Sequence, residues 1–164
     1  MSTPTILLVE DHDDSRLAER LLLERSGYVV VEARTGFDGL ALSLATHPRV
    51  VLLDMVLPGI DGEQLARMLR ADRGCKDVAL VGLSASDDPE LRTRALDAGC
   101  DEFIAKPVSP WRLVAVVERY LRGGRRRVAD ERHVAGEDDG RNPESNATDF
   151  ESGAPERDPS LRSG

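Results

Sequence analysis

Four short apolar runs in this chain each end in a residue able to reach phosphate or a divalent metal. Leu7-Leu8-Val9 runs into Glu10-Asp11, Val50-Val51-Leu52-Leu53 into Asp54, Leu80-Val81-Gly82-Leu83 into Ser84, and Phe103-Ile104-Ala105 into Lys106-Pro107. A fifth run, Tyr28–Ala33, carries no such group. The runs are short and mostly rich in Val, Ile and Leu, as strands buried on both faces should be. Helical patterns with caps lie between them. Asp14 or Ser15 can open a first helix with Leu17, Ala18, Leu21 and Leu22 on one side, stopped at Ser26-Gly27. A weaker helix covers about Gly39 to Ala45, stopped by His47-Pro48. Asp61-Gly62-Glu63-Gln64 has the form of a capping box, and Asp88-Pro89 and Ser109-Pro110 each put an N-cap residue before a proline. The last helix carries Leu113, Val116, Val117, Tyr120 and Leu121 on one stripe. Five βα units of this size predict an α/β fold, a parallel sheet with helices on both faces. In such a sheet the strand-end groups gather along one edge, where open α/β folds bind ligands.

Composition narrows the function classes. With 164 residues and 40% hydrophobic content, one core of ordinary size is expected. No stretch approaches the roughly 20 apolar residues of a membrane helix, and Thr5–Val9 is too short for a targeting segment, which predicts a cytoplasmic protein without a membrane partner. A net charge of −8 speaks against nucleic acid as a partner. Seven of the 22 basic and ten of the 30 acidic residues fall in 123–164, so the net charge is −3 there and −5 in 1–122. The acidity is shared, and no basic half is hidden by averaging. Residues 123–164 have almost no periodic apolar positions and are expected to form an acidic, disordered tail on a domain spanning 1–122. Cys75 and Cys100 lack CxxC spacing and read as reduced thiols.

The strand-end residues suggest a chemistry by type alone. Three carboxylates, Glu10, Asp11 and Asp54, repel one another unless a cation lies between them. Mg²⁺ suits them, because it takes oxygen ligands and binds through one or two carboxylates together with a phosphate oxygen. A strand-end carboxylate can also attack phosphorus and form an acyl phosphate. The Lys106 ammonium and the Ser84 hydroxyl would then stabilise the charge on the transferred group. Lys106 is one of only two lysines among the basic residues, so its ammonium is not the default cation of this chain. His12 beside the acids and His47 before a proline read as loop residues, His133 has no assignable role, and Trp111 reads as a packing or partner-surface aromatic.

Ile6-Leu-Leu-Val-Glu10-Asp11, Leu52-Leu53-Asp54-Met55-Val56-Leu57-Pro58-Gly59-Ile60-Asp61-Gly62, Leu83-Ser84-Ala85 and Lys106-Pro107, in this order, resemble the receiver (CheY-like) domain of two-component response regulators. The resemblance spans nearly all of residues 4–122. It implies a flavodoxin-like, doubly wound five-stranded parallel sheet of order 2-1-3-4-5. It also implies Asp54 as phosphoacceptor and Glu10, Asp11, Asp54 and the Val56 backbone carbonyl as Mg²⁺ ligands. Ser84 and Phe103 would be the switch residues and Lys106 the phosphate partner, followed by a cis peptide to Pro107. Glu10 stands where many relatives have Asp, and Val56 and Ser86 occupy positions that tune dephosphorylation. The resemblance implies no enzyme beyond the domain's own phosphotransfer and autodephosphorylation.

The expected partner is a histidine kinase or phosphotransfer protein. Phosphorylation is expected to draw Ser84 towards the phosphoryl group and Phe103 inward, biasing the surface over about Asp88–Leu121 that meets a downstream protein. Receivers of this kind often pair through their last helices, so a homodimer is compatible, and Trp111, Tyr120 and the Arg-rich end leave the choice open. A stand-alone receiver signalling by protein–protein contact is the leading reading. The alternatives are a phosphorelay shuttle, a pseudo-receiver that never accepts phosphate, and a haloacid-dehalogenase-type phosphohydrolase, which wants a second Asp where this chain has Val56.

Overall fold

The structure, a computed structural model, describes residues 3–123. Five strands and five helices alternate strictly: β1 (Thr5–Val9), α1 (Asp13–Arg25), β2 (Val29–Ala33), α2 (Gly36–Thr46), β3 (Val50–Asp54), α3 (Gly62–Ala71), β4 (Ala79–Ser84), α4 (Pro89–Ala98), β5 (Glu102–Ala105) and α5 (Pro110–Gly123). All strands are parallel, and their order is β2-β1-β3-β4-β5, the flavodoxin-like arrangement expected from the sequence.

Strand alternation divides the core in two. Leu7 and Val9 of β1 and Val51 and Leu53 of β3 face Leu65, Leu69, Ala95 and Phe103 on one side of the sheet. Ile6, Leu8, Val50 and Leu52 face Leu23, Leu113, Val117 and Tyr120 on the other. The successive residues of a strand point to opposite faces, so a run apolar at every position must be covered twice. Every residue of β3 and β4 is buried.

Helix starts follow local chemistry. Asp61 accepts from the Gln64 backbone N–H while the Gln64 side chain accepts from the Asp61 N–H, completing the capping box of α3. The Asp88 carboxylate accepts from Glu90 N ahead of α4, and Ser109 Oγ from Arg112 N ahead of α5. Other boundaries differ from expectation. α2 starts at Gly36, because the Thr35 hydroxyl caps it by accepting from Asp38 N. α1 starts at Asp13, with His12 as an N-cap whose side chain makes no capping bond.

The face that α1 buries is the main correction. Leu17 and Leu21 are exposed, whereas Arg16 and Leu23 are buried. The helix is rotated from the predicted stripe, and the Arg16 guanidinium it turns inward has acceptors: the buried Glu10 carbonyl at 2.9 Å and, nearer the surface, Asp13 and Glu32, the latter at 3.3 Å. A buried cation with several acceptors is tolerable where an unpaired one is not. Cys75 and Cys100 are both buried and are not joined in a disulfide. No helix among the described residues is long and apolar enough to cross a membrane. The expected tail, with Arg125-Arg126-Arg127 and His133, lies outside the described residues apart from Gly123.

Candidate active site

Parallel pairing carries the acids to one place. β1 and β3 are neighbours with Val9 beside Leu53, so Glu10 and Asp11, which follow β1, meet Asp54 at the end of β3. Asp54 pairs with Leu83, which brings Ser84 alongside, and Lys106 N donates to the Ser84 carbonyl at 2.6 Å. Candidate ligand atoms of Glu10, Asp11, His12 and Asp54 all lie within 4.8 Å of one another.

Lys106 ties the acids together. Its ammonium is 2.5 Å from Glu10 Oε2 and 3.3 Å from Asp54 Oδ2. The backbone N–H of Val56 donates to Asp54 Oδ1 at 2.9 Å, and that of His12 to Glu10 Oε1 at 3.0 Å. Burial alone would raise the pKa of Glu10, which is 1% exposed, but the Lys106 hydrogen bond, the His12 N–H and the Lys106 charge together hold it below the ordinary value. Asp54 goes the other way. Burial raises it, and the Val56 N–H and the more distant Lys106 ammonium do not fully offset that. Burial would lower Lys106, yet the Glu10 hydrogen bond and the charges of Asp54, Glu10 and Glu19 push it up, so the ammonium stays charged. The His12 imidazole is exposed, as expected of a loop residue, yet its hydrogen bond to Glu10 and the charge of Asp11 push its pKa up.

Ser84 is buried, and its Oγ accepts from Ser86 N at 3.1 Å. Phe103 is 2% exposed, its ring packed in the core on the side of Leu65 and Ala95. Arg92 of α4 stacks on that ring at 5.0 Å and donates to the Phe103 carbonyl at 3.3 Å. Val56 turns its side chain outward, 69% exposed. The Lys106–Pro107 peptide is cis.

Residues 6–118 match the response regulator receiver domain. The chain belongs to that family. It is 36% identical over 127 residues to the transcriptional regulatory protein AfsQ1 of Streptomyces coelicolor, covering 77% of this chain and 55% of AfsQ1. It is 29% identical over 119 residues to the polar-differentiation response regulator DivK of Brucella ovis, covering 73% of this chain and 97% of DivK. The receiver thus spans about half of the first relative and nearly all of the second. Among solved structures, a response regulator from Chloroflexus aurantiacus superposes with a TM-score of 0.71 at 30% identity, over 74% of this chain and 99% of that one. The receiver domain of the sensor histidine kinase PA1611 of Pseudomonas aeruginosa, with magnesium coordinated in its active-site cleft, superposes at 0.69 with 27% identity over 73% and 98%.

Receiver domains are phosphoacceptors rather than classical enzymes, and they bind Mg²⁺ in this acidic cleft. The residues of this receiver fit such an ion. Asp11 Oδ1 is buried and makes no hydrogen bond among the described residues, although the His12 ring is 3.2 Å away. An orphaned carboxylate oxygen beside two further acids is the donor set a hard cation takes.

Three residues at this receiver's site were not legible in the sequence. Arg16 holds the Glu10 carbonyl, Arg92 covers Phe103, and Glu19 lines a cleft next to Lys106. Arginine and glutamate on a helix normally read as a solvated face, and only the rotation of α1 reveals otherwise for Arg16 and Glu19.

Proposed function

We propose that this receiver accepts a phosphoryl group on Asp54 from the phosphohistidine of a histidine kinase or phosphotransfer protein. The observation that carries the reading is the meeting of Glu10, Asp11 and Asp54 oxygens within 4.8 Å, with the Lys106 ammonium bridging Glu10 and Asp54. An Asp54 oxygen attacks phosphorus, the P–N bond breaks, and its electron pair stays on the departing imidazole. Glu10, Asp11, Asp54 and the Val56 carbonyl are the residues that would hold Mg²⁺, which neutralises charge on the phosphoryl oxygens when bound. Lys106 and the Ser84 hydroxyl complete the positive and hydrogen-bonding surround.

Within the proposed unit of residues 1–122, Ser84 and Phe103 are the switch pair, and Arg92 on α4 links the aromatic to the surface that meets a downstream protein. The exposed Trp111 belongs to that surface, whereas Tyr120 is buried with its hydroxyl on Glu102 and is not available for pairing. The apolar side chains of Leu17 and Leu21, turned outward on α1, offer a protein donor a contact. Output through protein contact, in the cytoplasm and without nucleic acid, is the reading that the acidic charge supports, and this receiver matches nearly the whole of the response regulator DivK. AfsQ1, by contrast, is a transcriptional regulatory protein that extends well beyond the matched region. A relay shuttle differs only in passing the group to a further histidine.

Intact-protein mass after incubation with acetyl phosphate tests the reading. One phosphoryl group is expected on the wild type with Mg²⁺, and none without Mg²⁺ or in Asp54→Asn. An unmodified wild type that also fails to bind beryllofluoride would establish a pseudo-receiver instead.

A further inference from the structure

Glu19 stands apart from the acids already described. It lies near the middle of α1, and its Oε2 is buried with no hydrogen-bond partner among the described residues. A carboxylate oxygen left this way is destabilising, so its retention asks for a reason. Its surroundings are a cleft of about 540 Å³ between α1 and the start of α5, walled by Ala18, Leu22, Val108 and Leu113. Lys106 lines the same cleft. Burial among these apolar walls pushes the Glu19 carboxyl up to about 7, with the Lys106 ammonium opposing and Glu10 and Asp54 reinforcing the rise.

The position of Lys106 supplies the reason. Its ammonium rests on Glu10 and Asp54, two of the carboxylates that a divalent cation would take. A divalent cation on the same carboxylates repels the ammonium, so before a phosphoryl group arrives to hold it the lysine is driven away from them. Lysine has a flexible four-carbon stem and a compact charge, and the cleft gives it room to swing. Of the carboxylates whose charges act on this ammonium, Glu19 alone lies outside the group within 4.8 Å that would hold a metal.

We propose that Glu19 is a positioning residue for Lys106, receiving the ammonium in the cleft when a divalent cation takes Glu10 and Asp54. The lysine then has two anionic stations, and the occupancy of the acidic site decides between them. Without Glu19, Lys106 stays on Glu10 and Asp54 and competes with the cation. The inference rests on the Mg²⁺ site of the reading above.

The test is a double-mutant cycle on Mg²⁺ affinity. Isothermal titration calorimetry on the full chain at pH 8 would compare wild type, Glu19→Gln, Lys106→Met and the double variant. Glu19→Gln is expected to weaken Mg²⁺ binding about fivefold when Lys106 is present and under about twofold in the Lys106→Met background. Equal weakening in both backgrounds would mean that Glu19 simply attracts the ion, and would overturn the proposal, as would no effect in either. A wild type that binds no Mg²⁺ would overturn the reading of the acidic site itself, a result separable from a failed cycle. Glu19→Ala, which leaves no amide in the cleft, repeats the cycle should Glu19→Gln fold poorly, with the same coupling expected.

Discussion

Glu10 and Asp54 share one ammonium yet titrate in opposite directions: burial raises both, but Glu10 is brought down by Lys106 at 2.5 Å and by His12, whereas Asp54, with Lys106 at 3.3 Å and the Glu10 charge beside it, stays raised. The groups around each carboxylate thus set which acid is the better anion. Arg16 acts on the same loop from behind, through the Glu10 carbonyl. Arg16→Met is expected to cost about 1–3 kcal/mol by leaving that carbonyl unpaired, measured by urea unfolding, and to weaken Mg²⁺ binding alongside. Glu19 predicts a pH dependence. Its folded pKa of about 7 lies above the ordinary 4.5, so between those values the native state binds more protons than the unfolded chain. Stability therefore falls as pH rises through this window and stays lower above it. Glu19→Gln removes the loss: the variant should match wild type near pH 4 and exceed it by about 1–2 kcal/mol at pH 8, a figure reduced for partial solvent screening. Unfolding curves at the two pH values check the sign.

At the scale of elements, the β3–α3 connection shows how tightly the site is braced. A Cβ on Gly62 would stand 2.6 Å from the Asp54 carbonyl and 2.7 Å from Met55 Cα, both backbone atoms that have little room to give. Gly62→Ala is expected to destabilise by about 1–3 kcal/mol and to displace the start of α3 from Asp54, so that phosphoryl uptake falls with stability. Asp61→Ala, which only removes the cap, should cost about 1 kcal/mol and leave uptake nearly unchanged. Thermal melts paired with acetyl phosphate labelling separate the two. Capping was legible in the sequence because Asp61 and Gln64 act over four residues. The inward face of α1 was not: Leu17, Ala18, Leu21 and Leu22 made the better stripe, but beyond Asp13 on its own helix Arg16 had acceptors on Glu10 and Glu32 that only the packed sheet assembles.

For the molecule as a whole, a ligand that binds only the folded form adds stability by mass action. Mg²⁺ with beryllofluoride at a hundred times its dissociation constant should contribute about 2.7 kcal/mol and raise the melting midpoint by on the order of 10 °C. Asp54→Asn should melt near the unliganded wild type and gain none of this increment. Scanning calorimetry reads both. The gain depends on most of the sheet, since Glu10, Asp54, Ser84 and Lys106 come from four different strand ends and meet only when β1, β3, β4 and β5 lie side by side in that order.

The strand runs, their strict alternation with helices, and the acids, hydroxyl and ammonium at their ends could be read from the order of residues alone. These are local properties, written in apolar periodicity and in the residues that stop it. Tertiary structure decided the rest. It buried Phe103 under Arg92, turned Leu17 and Leu21 to the surface, and placed Glu19 in a cleft beside Lys106. Each of these depends on partners far away in the chain, whose positions follow from packing a finished sheet rather than from any run of neighbouring residues.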